Sequence, residues 1–309
     1  MTYKKTIPSL FAAAAVVVAM AFFLASPARY CESVREGISL WAVSVLPAAF
    51  PFLFLTALFT RFPLFRRFSG AISPAAGKLF RVSGAGGSTA VLAMLSGYPV
   101  GARTVLDLYE RGAIGEEETF RLSCLSTTSG PMFIVGVVGA AMFQNPLAGW
   151  VLLLSHFSAV WLVCLFLRIG KRPLPSAPPR LQSGGNILYD SLYSSVISIL
   201  CVGGSIAVFY AFGQMLCDAL VFLPLGNTGT ALLRGMLEMT AGCALLSKTP
   251  NALSLALCAF LVTFGGICVL VQELAFLTRA RVKAAPFLAV KLLQGVLAGA
   301  ICYPLALLL

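Results

Sequence analysis

The stretch GAGGSTAVLAMLSGYPVGA, Gly84–Ala102, decides how the rest of the chain folds. It is apolar enough to enter a bilayer. Its centre, Ser96-Gly97-Tyr98-Pro99-Val100-Gly101, interrupts any continuous helix, because Gly is a poor helix former and Pro lacks the N–H that the ladder needs. Broken backbone at membrane depth survives only where protein or a water-filled cavity shields it. We therefore read 84–102 as a re-entrant hairpin whose tip helps to build a substrate site.

Working outward, composition sets the class. The 309 residues are 59% hydrophobic and 11% charged, against about 25% charged in a soluble domain, and the mean hydropathy is +0.92. Several apolar runs reach spanning length, so the fold class is all-α: a polytopic helical protein whose surroundings are a lipid bilayer. The net charge of +11 does not point to nucleic acid. The basic residues sit between apolar runs, where orientation rules place them. Nine cysteines are scattered with no CxxC pair and no Cys/His cluster. They read as small buried apolar residues, so neither a metal site nor a cofactor is expected. No Ser/His/Asp set, HExxH, catalytic carboxylate pair or P-loop occurs, so no catalytic residue is assigned and the chain is not read as an enzyme. Ser83-Gly84-Ala85-Gly86-Gly87 reads as a hairpin hinge, not a phosphate cradle.

The charge pattern then fixes the topology. Apolar runs at 7–25, 37–60, 122–143, 150–167, 191–216, 253–272 and 286–309 read as about seven spans. The first reads as a retained helix, not a cleaved signal, followed by a short loop over 26–36. With Lys4 and Lys5 in the cytoplasm, two spans return residues 61–81 there, as Arg61, Arg66, Arg67, Lys78 and Arg81 require. The basic linker and the loop at Arg279, Arg281 and Lys283 also belong there. They do so only if 84–102 enters and leaves on one side, and 221–247 does the same from the other. All but five of the 22 Lys and Arg residues then lie in cytoplasmic segments; the exceptions are Arg29, Arg35, Arg234, Lys248 and Lys291. Residues 103–121 read as a short surface helix with its charges in water.

This organisation divides the chain into 1–36, a membrane helix and loop; 37–167, a first repeat; 168–190, a basic Pro-rich linker; and 191–309, a second repeat. Each repeat reads span, re-entrant hairpin, span, span, entered from opposite sides. LAMLSG at 92–97 lies beside LEMTAG at 237–242, and Ser129-Gly130-Pro131 corresponds to Phe264-Gly265-Gly266. Paired interrupted segments in inverted halves are the best sequence pointer to a transporter binding site.

These same residues carry a resemblance. Pro47, Phe50-Pro51-Phe52, Phe80-Arg81-Val82, SGYPVGA at 96–102, SGPMFIVGVVG at 129–139, His156 and RGMLEMTAGC at 234–243 occur in the order found in the YlbJ-type sporulation integral membrane proteins. The chain resembles that family, within the wider nucleoside recognition or gate-domain group, over nearly its whole length from Gly37. Family members carry an Asn-Cys-Ser-Asn-Pro turn; here Thr127-Thr128-Ser129-Gly130-Pro131 stands in its place, so the amide contacts of that turn are not carried over. The resemblance implies transport of dipicolinic acid toward the forespore, across the outer forespore membrane. The gate-domain relatives also include nucleoside transporters.

On this reading a small organic anion binds between the hairpin tips, where half-helix N-termini offer unpaired N–H groups. Ser96, Gly97, Tyr98, Pro99, Gly101, Ser126, Thr127, Thr128, Ser129 and Gly130 line one side. Glu238, Thr240, Thr263, Gly265 and Gly266 line the other. Three groups are candidates for charge or coupling. Glu238 either carries a coupling proton or pairs with Arg234 one turn away. His156 is a ligand contact or a satisfied interhelical bond. Lys291 offers charge to the anion or snorkels to the interface. Other classes stay open: a nucleoside or other small-solute transporter, and a non-transporting assembly protein of sporulation. A homo-oligomer or a partner membrane protein is compatible with each.

Overall fold

The computed structural model of the chain describes residues 6–59, 61–168 and 186–309. Lys4, Lys5 and linker positions 169–185 lie outside the described residues. Within them the chain is helical, with no strand. The helices are α1 Thr6–Ala25, α2 Pro27–Phe59, α3 Pro63–Phe80, α4 Gly84–Ser96, α5 Val100–Glu110, α6 Glu116–Ser126, α7 Phe133–Met142 and α8 Pro146–Leu167. After the linker come α9 Ile187–Ala219, α10 Gly226–Leu237, α11 Met239–Leu246, α12 Ala252–Phe264, α13 Gly266–Leu277 and α14 Ala284–Ala306.

Among the described residues, five helices are long and apolar enough to cross a membrane: α2, α8, α9, α12 continued by α13, and α14. One of the expected spans and one expected loop take another form. Apolar α1 is separate from α2 by only Ser26, so the loop expected at 26–36 is helical instead: Pro27 opens α2 at its first turn, where a missing N–H costs nothing. The run 122–143 is not one helix. It is α6, a non-helical stretch at 127–130, and α7. The Ser-Thr-Thr-Ser-Gly-Pro sequence explains the break, because the hydroxyls compete for backbone groups and Pro131 disfavours helix at Gly130.

Helices α2 and α9, each 33 residues, span about 50 Å and form an antiparallel pair. Both ends are pinned. Arg29 and Tyr30 bind Asp218 at one end, and Arg61 meets Asp190 at 3.2 Å at the other. Opposite this pair, α8, α12 and α14 pack together. Between the two layers lie the hairpins α4–α5 and α10–α11 and the breaks α6–α7 and α12–α13. Outward faces of the long helices expose Leu154, Phe166, Leu200, Val208, Leu293 and Val296, as lipid contact requires. The helix α3 packs on α4 and leaves Leu64, Phe68, Ile72 and Leu79 exposed along one stripe, the pattern of a helix lying in the interface.

The surface helix expected at 103–121 is also corrected. Val105, Leu106 and Leu108 of α5 are buried, as are Glu118 and Arg121 of α6. Glu118 accepts the Ser83 N–H at 2.5 Å, and Arg121 donates to the Arg81 carbonyl at 3.1 Å. These two bonds fix the entry to the first hairpin, where Ser83 caps α4.

The hairpin closes tightly. Gly97 sits at φ +73, open to Gly without strain, and a Cβ there would lie 2.5 Å from the Gly130 nitrogen. At Gly101 a Cβ would lie 1.8 Å from the Ser126 carbonyl oxygen. Gly101→Ala therefore forces α5 away from the α6 break. The expected loss exceeds the ~1–3 kcal/mol usual for overpacking, read as a lowered unfolding midpoint and a reduced monodisperse yield in detergent; an unchanged midpoint would show that the two segments do not touch.

Candidate functional site

Each helix break inside the bundle frees backbone donors and acceptors that lipid cannot satisfy. Side chains from elsewhere in the chain meet them. At the C-terminal end of α6, Lys291 donates to the Thr127 carbonyl at 2.7 Å and Gln294 to the Cys124 carbonyl at 3.0 Å, both from α14. At the C-terminal end of α12, the Tyr98 hydroxyl reaches the Val262 carbonyl at 3.1 Å and the Thr263 carbonyl at 3.4 Å. His156 on α8 lies between the breaks: Nε2 accepts the Ser129 N–H at 3.3 Å, and Nδ1 lies 2.9 Å from the Thr263 hydroxyl. Because Nε2 accepts, a neutral ring carries its proton on Nδ1 and donates to Thr263. Thr128 adds a bond to the Ala93 carbonyl at 3.4 Å.

In the second hairpin Glu238 caps α11. Its two carboxylate oxygens accept the N–H groups of Thr240, at 3.0 Å, and Ala241, at 2.7 Å. The pairing of Glu238 with Arg234 is thus corrected: Arg234 turns to Gln214 and lies over the Tyr210 ring at 5.2 Å. A helix N-terminus attracts a carboxylate through its exposed N–H groups and dipole, and this outweighs an (i, i−4) partner where the helix is interrupted. The snorkelling alternative for Lys291 is corrected too. Its side chain is fully buried, 5.4 Å from the centre of the Tyr98 ring and at the negative end of α6, both favourable to an ammonium.

The breaks border a cavity of about 90 Å³, room for several waters at about 10–15 Å³ each. Of the expected site residues, Ser96, Gly97, Tyr98, Pro99, Ser129 and Gly130 line it from the first half, and Glu238 and Thr240 from the second. Gly101, Ser126, Thr127, Thr128, Thr263, Gly265 and Gly266 lie at or beside the breaks but outside the wall; His156 on α8 and Lys291 on α14 also lie outside it. The remaining wall was missed by sequence reasoning. Phe52 and Leu53 of α2 and Val202, Ser205 and Ile206 of α9 close one side, and Cys268, Val269 and Gln272 of α13 another. Gln272 donates to Ser205 at 3.0 Å across that corner. Apolar walls with a few convergent hydroxyl, amide and N–H groups suit a small ring-bearing solute.

The α2 and α7 walls are wider than ordinary helix. Trp41–Val45 and Phe133–Met142 form π-type turns, seen in the bond from the Phe143 N–H to the Val138 carbonyl at 3.0 Å. Such turns recur at functional sites. Val45 and Phe133 from these turns face the cavity.

The chain is 30% identical over 315 aligned positions to the sporulation integral membrane protein YlbJ of Bacillus subtilis (strain 168), covering 89% of this chain and 77% of that protein. No protein-family model matches the chain, and no solved structure matches it.

The double role of His156 is testable without any ligand. His156→Ala leaves a buried N–H and a buried hydroxyl without partners, at about 1–3 kcal/mol each. The unfolding midpoint should fall markedly, and less so for His156→Gln, whose amide can both accept and donate. Equal midpoints for all three proteins would remove His156 as the link between the breaks.

Proposed function

The chain belongs to the YlbJ family of sporulation integral membrane proteins, and on that footing we propose that it is a secondary transporter of a small organic anion, with dipicolinate as the substrate. The observation that carries this reading is the cavity bounded by broken segments from both halves of the chain. A purely structural membrane protein gains nothing from interrupting its helices there. Each break costs helix hydrogen bonds and needs dedicated partners.

The order of elements supports an inverted repeat. A long helix, a hairpin, a broken helix and a single helix occur as α2, α4–α5, α6–α7 and α8, and again as α9, α10–α11, α12–α13 and α14. Helices α2 and α9 run antiparallel, as inversion requires. Ser96, Ser129, Thr240 and Gln272 supply hydrogen bonds to carboxylate oxygens, while Phe52, Val202 and Phe133 flank an aromatic ring. The N-terminus is then cytoplasmic and the working membrane is the outer forespore membrane.

A neutral solute such as a nucleoside is the second reading, and one observation favours it. Among the described residues the charged side chain in the cavity wall is Glu238, and no Lys or Arg lines it. Purified protein in liposomes separates the readings. Dipicolinate flux should be saturable and uncompeted by nucleoside. Ser205→Phe, which fills the cavity from α9, should lower it by about tenfold or more, the equivalent of ~1.4 kcal/mol. Nucleoside flux in place of dipicolinate would select the second reading. No flux of either from inserted, folded protein would favour an assembly role in sporulation.

A further inference from the structure

Three carboxylates are buried among the described residues, Glu118, Glu238 and Glu273, and two of them have backbone donors. Glu273 has none. It is fully buried, and among the described residues no hydrogen-bond donor reaches either of its oxygens. It lies on α13, beside Gln272 and one turn from Val269, both in the cavity wall. The buried Lys291 faces it from α14 without closing to 4.0 Å, since the ammonium is held by the Thr127 carbonyl and the Tyr98 ring.

The other groups around Glu273 leave it without a partner. Tyr98 from the hairpin tip and Cys124 from α6 are the further titratable groups within electrostatic reach. On α5, Arg103, Asp107 and Glu110 are exposed. On α9, Asp190 and Asp218 are taken by Arg61 and Arg29. On α10, Arg234 turns to Gln214.

An ionised carboxylate without donors in such a place is costly; as the neutral acid it is far less so. The Lys291 ammonium pulls the other way by Coulomb attraction. An anion entering the cavity adds a second negative charge close to Glu273. Proton uptake by Glu273 removes that repulsion and leaves the Lys291 ammonium as counter-charge to the anion. A metal cation is a poor alternative, because the site offers one carboxylate and an ammonium facing it.

We propose that Glu273 is a proton-binding site, taking one proton from water when an anion enters the cavity and returning it when the anion leaves. The proton joins a carboxylate oxygen, and no other bond changes. The anion half of this statement rests on the transport reading above; the proton half stands on the geometry of Glu273.

Infrared difference spectra of the purified chain, titrated in pH with and without dipicolinate, read the proton directly through the C=O stretch of a protonated carboxyl. The expected result is a band strengthened by dipicolinate, absent in Glu273→Gln and retained in Glu273→Asp, with all three proteins monodisperse. A band unchanged in Glu273→Gln, or no band at any pH at which the protein stays folded, overturns the proposal. In liposomes, dipicolinate accumulation with and without an inward proton gradient should differ by about tenfold or more in wild type, and the ratio should fall to one in Glu273→Gln. An undiminished ratio, or accumulation driven by a sodium gradient through Glu273, also overturns it. A Glu273 band in a protein that moves no dipicolinate defeats the transport reading and leaves the proton site standing.

Discussion

Backbone polar groups freed inside a lipid-embedded bundle have no water to turn to, and that constraint governs the centre of this molecule. Four interruptions, at the tip of the first hairpin, at 127–130, at Glu238 and at Gly265, lie between the two layers of long helices. Their exposed carbonyls are met by Tyr98, Lys291 and Gln294, and their exposed N–H groups by His156 and Glu238. Without these five side chains the breaks would be unstable in lipid, and without the breaks there would be no cavity.

The constraint also explains why polarity in a span is an ambiguous sign of function. His156, Lys291 and Glu238 are the intramembrane ionisable residues that default reasoning assigns to coupling or substrate charge. Each also holds backbone in place. Their partners lie far along the chain, 164 positions apart for Lys291 and Thr127 and 107 for His156 and Thr263. The two halves are thus fastened through their interruptions. Glu273 differs in making no such bond, which is what sets it apart.

Much of this was legible in the sequence. Composition fixed the class, SGYPVG located the first tip, and the hydroxyl-rich stretch before Pro131 located a break. Eight of the fifteen expected lining residues do reach the cavity wall. The failures have physical causes. The walls on α2 and α9 are apolar residues indistinguishable from lipid-facing ones, because a continuous apolar helix carries no stripe to say which side is inside. The π-type turns have no sequence signature, and they rotate the faces beyond them. Glu273 was missed because the expected span stopped at Gln272. The helix runs on to Leu277, so a carboxylate that looked like a loop residue is buried within it. Glu238 was paired with Arg234 by helical periodicity, which fails where α10 ends and α11 begins.

The distribution of polar links makes the two sides of the cavity unequal. On the side of α8, α12 and α14, the cavity is backed by hydrogen bonds to backbone at Thr127, Cys124, Val262 and Ser129. Separating these layers would strand buried carbonyls and N–H groups, each at about 1–3 kcal/mol. The α2–α9 pair is fastened within itself by Arg29–Asp218 and Arg61–Asp190, and meets the hairpins through apolar side chains together with Gln272–Ser205 and Arg234–Gln214. Those last two links join side chain to side chain, and either partner can turn to another donor or acceptor without breaking a helix. Sliding the pair as a unit therefore exposes the cavity at lower cost than parting the breaks. The rigid half carries the buried charges, and the pliable half carries the apolar wall.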